Sequence, residues 1–115
     1  MDARAARVVL VTTPDVDSAR AIARTLVEER HAACGSIVPG ITSIFRWQGA
    51  LQEEAEALLV LKTTDDRVAA LSARVTELHP YDVPEVLALA VDAGNQPYLD
   101  WLDACLASGG EADEP

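Results

Sequence analysis

Aromatic side chains make up only 4% of this 115-residue chain: one Phe, two Trp and two Tyr. Its core must then be built mainly from Ala, Val and Leu, within a hydrophobic share of 50%. Basic residues are also scarce. Nine Lys and Arg stand against nineteen Asp and Glu, giving a net charge of −10 and a pI near 4.4. That balance argues against nucleic acid and anionic membrane as partners, since both select basic surfaces. It leaves room for cations, for basic ligands, or for a purely solubilising role. No apolar run approaches the roughly 18 residues of a membrane span. The N-terminal patch Val8-Val9-Leu10-Val11 is too short for a signal sequence, and the expected setting is the cytosol. Cys34 and Cys105 fit a compartment that keeps thiols reduced, and their spacing makes no metal-ligand pattern. There is no Gly-rich phosphate loop, no serine elbow and no thiol at a helix N-terminus. An enzyme is therefore the least favoured class.

The chain is organised around residues 34–63, CGSIVPGITSIFRWQGALQEEAEALLVLKT. Ile37, Val38, Ile41, Ile44, Phe45 and Trp47 mark one extended arm; Leu51 and Leu58-Leu59-Val60-Leu61 mark the other. Gln48-Gly49-Ala50 is the break between them, the signature of a hairpin turn. Each arm exceeds the usual strand of about five or six residues. Two short helices cannot cover such a hairpin, so a second chain is expected to. Pro39-Gly40 interrupts the first arm. Proline cannot donate to a ladder, so this marks a bulge or an edge position.

Around the hairpin the pattern alternates. Residues 1–6 are expected to be disordered. Val8–Val11 is all apolar, as in a strand buried on both faces. Asp17 or Ser18 is placed to cap a helix with the stripe Ala19, Ile22, Ala23, Leu26 and Val27. Thr64 or Asp65 is placed to cap a second, with Val68, Leu71, Val75 and Leu78, stopped by His79-Pro80. Glu85 to Val91 reads as the last strand. Asn95-Gln96-Pro97 opens a third helix, and residues 108–115 form an acidic, flexible tail. VVLVTTPD at 8–15 echoes LLVLKTTDD at 58–66. Two strand–helix–strand units in succession give an α+β, ferredoxin-like βαββαβ sandwich over residues 7–107, with a long central hairpin and an extra C-terminal helix.

Four stretches in register carry a resemblance: SIVPGITSIFRW; Gln52-Glu53-Glu54-Ala55-Glu56 followed by LKTT; HPYDVPEV; and Tyr98-Leu99-x-Trp101. Together, over about residues 7–106, they resemble the CutA proteins, also called divalent-cation tolerance proteins. The resemblance implies a ferredoxin-like fold, a cytosolic homotrimer similar in architecture to the PII signalling proteins, and a role in tolerance to copper and other divalent metals. One position departs from it. Some members proposed to bind copper carry a Cys in the first strand, where this chain has Val11. Without that thiol, a soft Cu(I) site gives way to a harder imidazole and carboxylate site.

His79 and Glu85 are the first metal candidates, an imidazole and a carboxylate across a loop stiffened by Pro80 and Pro84. The plainer reading has His79 at a helix C-terminus and Glu85 opening a strand, and it weighs more, because most lone histidines are not ligands. Glu54 and Glu56 share a strand face, with Glu53 between them. They are candidate cation ligands or, more plainly, a solvated cluster that protects the hairpin from sticky pairing. Cys34 and Cys105 read as packed thiols. Phe45, Trp47, Tyr81, Tyr98 and Trp101 suit a subunit interface, or the walls of a small-molecule cleft.

The expected protein is a homotrimer that binds a divalent metal at intersubunit clefts and serves metal homeostasis. Cu2+ is favoured over Zn2+, with no organic cofactor. The alternatives are a PII-like sensor of a small organic ligand, and a trimeric scaffold for a protein partner.

Overall fold

Alternating side chains set the architecture, because one face of each strand can meet the helices and the other cannot. The computed structural model describes residues 4–107. They run β1 (Ala6–Thr13), α1 (Val16–Glu28), β2 (Cys34–Trp47), β3 (Ala50–Thr64), α2 (Val68–Leu78), β4 (Leu87–Ala90) and α3 (Gln96–Leu106). The sheet order is β2-β3-β1-β4 with every pairing antiparallel. This is the ferredoxin-like arrangement of two strand–helix–strand units, with α3 added. The sheet starts earlier than residue 7: Ala6 is already paired with Thr64, and Arg4 Nε lies 2.6 Å from Asp103 Oδ1. Arg4 to Ala6, expected to lie outside the domain, are thus placed against it. The acidic tail lies outside the described residues.

Val9 and Val11 of β1 and Leu59 and Leu61 of β3 pack beneath Ala19, Ile22, Ala23 and Leu26 of α1 and Leu71 and Val75 of α2. All are buried, each Val or Leu worth about 1.5–3 kcal/mol. Gly35 lies on this face because a β-carbon there would stand 3.0 Å from Leu61 Cδ2 and 3.3 Å from Ala23 Cβ. Val8 and Leu10 point the other way and are only half-buried. The run Val8–Val11 is thus not buried on both faces within one chain. On that second face α3 covers one end, where Leu102 and Leu106 pack with Ala33 and Ala6. The rest stays open: Leu87 and Leu89, opposite Leu10 and Val8, are 54% and 48% exposed.

β4 is shorter than the expected Glu85–Val91, since its ladder with β1 uses only Arg7 to Leu10. Glu85 and Val86 remain in the preceding loop. The cap of α1 also moves. Asp15 Oδ1 accepts from the Ser18 N–H at 2.7 Å, so the cap is Asp15 rather than Asp17 or Ser18. That hydrogen bond holds the Asp15 carboxyl below its ordinary value. A short 3-10 turn, Asp65–Arg67, leads into α2, and the Thr64 hydroxyl serves Asp66 Oδ1 (2.5 Å) rather than a helix N–H.

The hairpin turns at Gln48 and Gly49, both with positive φ (50° and 79°), the conformation of a two-residue turn that matches strand twist. Trp47 pairs with Ala50 directly across it. The register shifts between Val38 and Ile41, with Gly40 at φ 69°, so Pro39-Gly40 is a bulge on an edge strand. Beyond it the hairpin projects: Trp47 is 60% exposed and Leu51 71%.

Candidate functional site

The projecting half of the hairpin and the loop after α2 enclose an open cleft of about 1160 Å³. Strand parity puts Glu54 and Glu56 on its β3 wall, paired with Ser43 and Ile41. Glu53 has the opposite parity and does not line it. The loop adds Asp82 and Glu85, and Phe45, Trp47 and Tyr81 supply aromatic surface. Four carboxylates from two elements therefore face one cleft. Asp82 was missed in the sequence. Its only signal was a carboxylate between two loop prolines.

Tyr81 joins the two walls. Its Oη donates to Glu56 Oε2 at 2.8 Å. Burial pushes the Tyr81 phenol up to about 12, helped by the bond to Glu56 and by the negative charges of Glu56, Glu54 and Asp15. Glu56 thus has a partner, while the cleft as a whole is electronegative.

His79 is not on the cleft wall. It caps the end of α2 and is 7% exposed. Its Nε2 lies 2.7 Å from the Thr12 carbonyl oxygen, which can only accept, so Nε2 carries the proton. Nδ1 then accepts from the Tyr81 N–H at 3.0 Å. Both ring nitrogens are committed, and neither offers a lone pair to a metal. The ring stands 4.7 Å from the Tyr81 ring and fixes the start of the loop to the end of β1. Of the expected His79 and Glu85 pair, Glu85 lines the cleft, while His79 bonds to the main chain of Thr12 and Tyr81. The helix-end placement of His79 holds, but its ring bonds to β1. Among the described residues no three His, Cys, Asp or Glu side chains stand close enough to hold one metal ion.

The five aromatics divide. Phe45, Trp47 and Tyr81 line the cleft. Tyr98 and Trp101 pack within the chain, 5.5 Å apart, against Ala33, Leu102 and Leu106. In this chain they fill an internal cluster. An i,i+3 spacing on a helix was the signal for that packing.

The comparisons agree with this architecture. The model of the CutA1 divalent ion tolerance protein family matches residues 7–105. The divalent-cation tolerance protein CutA of Thermus thermophilus is 57% identical over 95 residues, covering 83% of this chain and 92% of that protein. The CutA homolog of Xenopus laevis is 48% identical over 92 residues, 80% of this chain; the chain spans 61% of that relative's length. The crystal structure of CutA1 from Oryza sativa superposes with a TM-score of 0.89 at 40% identity, covering 93% of this chain and 98% of that one. The match runs through the hairpin, the loop and α3 alike, and the chain belongs to the CutA1 divalent ion tolerance family.

Proposed function

We propose that this chain assembles as a homotrimer and binds a divalent cation at clefts between its subunits, serving metal homeostasis in the cytosol. The observation that carries this reading is the convergence of Glu54, Glu56, Asp82 and Glu85 on one open cleft. Among the described residues no three such donors meet at a point, and donors from a neighbouring copy would complete the coordination of an ion in the cleft. The exposed hairpin and the open sheet face support such a neighbour, because apolar surface of that extent favours association. The two free thiols, Cys34 and Cys105, fit a reducing compartment. For a fixed set of oxygen donors, affinity among first-row divalent ions rises to copper and falls at zinc, so Cu2+ is the favoured ion. The role is one of binding, not catalysis.

Calorimetric titration of Cu2+ and Zn2+ tests the reading. Cu2+ is expected to bind more tightly, and Glu56→Gln is expected to weaken it about tenfold or more. Affinity unchanged in both Glu54→Gln and Glu56→Gln would refute a carboxylate cleft site. The aromatic wall of Phe45, Trp47 and Tyr81 favours a second reading, a PII-like sensor that takes a small organic ligand in the same cleft. That reading expects thermal stabilisation by metabolites and little by metals.

A further inference from the structure

Both thiols lie away from the cleft, around α3. Cys34 opens β2 opposite Lys62, in the row that also carries Val8. Its Sγ is 3.5 Å from Tyr98 Oη. Cys105 lies seven residues after Tyr98 on α3 and packs in the same cluster as Tyr98 and Trp101. Its carbonyl accepts from Arg30 Nη1 at 2.7 Å, which ties the main chain at 105 to the loop leading into Cys34. Both thiols are free and half-buried, so small oxidants reach them. Burial raises the Cys105 thiol and a charge on Cys34 raises it further; burial, the hydrogen bond to Cys34 and charge on either sulfur lift Tyr98 to about 12. One more group in the cluster lacks a partner. Trp101 Nε1 is buried with no hydrogen-bond acceptor among the described residues, one helical turn before Cys105.

We propose that Cys34 and Cys105 form a redox pair: a hydroperoxide oxidises one thiol, and the other closes an intrachain disulfide that fastens α3 to β2. In the first step a thiolate sulfur attacks the peroxide oxygen. The O–O bond breaks, the sulfur becomes a sulfenic acid, and the peroxide leaves as alcohol or water. In the second step the remaining thiolate attacks that sulfur. The S–S bond forms, the S–O bond breaks, and hydroxide leaves as water with the second thiol's proton. Two thiols and one hydroperoxide thus give one disulfide, one water and one alcohol (or a second water). This is independent of the cleft and of what the cleft binds.

The test treats the full chain with hydrogen peroxide, native and in urea, and follows intact mass and tryptic peptides. The native chain is expected to lose two hydrogens, to yield one peptide joining Cys34 to Cys105, and to recover both thiols in dithiothreitol. It is expected to do so about tenfold or more faster than the urea-unfolded chain, because the fold raises the effective concentration of one thiol at the other. Cys105→Ser is expected to stop at a sulfenic acid on Cys34, trapped by dimedone. Separate oxidation of the two sulfurs, disulfides only between chains, or equal rates with and without urea would overturn the proposal. The rate comparison uses the unmodified chain, so it stands even if the variant folds poorly.

Discussion

Replacing His79 with Ala removes one ring that satisfies two backbone groups. The Thr12 carbonyl loses a donor at 2.7 Å and the Tyr81 N–H loses an acceptor at 3.0 Å. A buried polar group left without its partner costs about 1–3 kcal/mol. Tyr81 is 39% exposed, so water can serve its N–H and that half falls at the low end. The Thr12 carbonyl, on a half-buried strand residue beside β3, carries the larger share. The sum is roughly 2–4 kcal/mol, a large part of the about 5–15 kcal/mol typical of a domain. Urea unfolding followed by Trp fluorescence, at one fixed protein concentration, measures it. His79→Gln, whose amide reaches about as far as Nε2, is expected to recover about half by keeping the donor to Thr12. A loss under about 1 kcal/mol in His79→Ala would mean that water replaces the ring, and that the geometric argument fails. Metal titration of His79→Gln separates the two roles discussed for this residue. Unchanged stoichiometry is expected, because neither nitrogen is free to coordinate.

Three further outcomes follow from the same structure. Gly35→Ala is expected to destabilise the chain by about 1–3 kcal/mol, because the added methyl meets Leu61 and the fixed Ala23 Cβ at once; a neutral denaturation result would show that α1 can withdraw. Both phenols sit at about 12, raised first by burial, above an unfolded value of 10.0. Their contribution to stability is thus complete below pH 10 and lost as pH rises toward 12. Phenolate absorbance is expected to stay flat through pH 10, and a phenol titrating near its ordinary value would contradict that burial. The proposed trimer would couple folding to assembly, so the unfolding midpoint is expected to rise with protein concentration. Trp47→Ala is expected to flatten that dependence, and a variant trimer as robust as the parent at low concentration would remove Trp47 from the interface.

Local chemistry made most of the fold legible. The 3–4 spacing of Ala19, Ile22, Ala23 and Leu26 and the two extended arms gave the right elements, and Gln48-Gly49 gave the turn. Element ends were less legible, because they depend on partners. β4 ends where its ladder with β1 ends, and nothing in Glu85 or Val86 records that. Asp15, Asp17 and Ser18 are all competent caps, and only the path after Pro14 selects the first. The candidate site was half legible. Glu54 and Glu56 share a face by parity alone, and both reach the cleft. The commitment of His79 was not legible, since its acceptor lies 67 residues away on β1. Cys34 and Cys105 offered no spacing signal either; only the docking of α3 sets Tyr98 against Cys34 and packs Cys105 in the same cluster as Tyr98.

The bulge at Pro39-Gly40 divides the hairpin into two stretches on which substitutions are expected to act differently. Residues 34–38 and 57–64 are bound into the helix-covered sheet, so a change there registers in a single chain as lost stability. Residues 41–47 and 50–56 extend past the core, with Trp47 and Leu51 largely in solvent. Substitutions in that stretch leave the fold of one subunit nearly untouched and register only in what the hairpin meets. A lineage can therefore retune its assembly or its cleft by drift along the projecting arm without passing through unfolded intermediates. A screen that scores only folding will miss most of that variation.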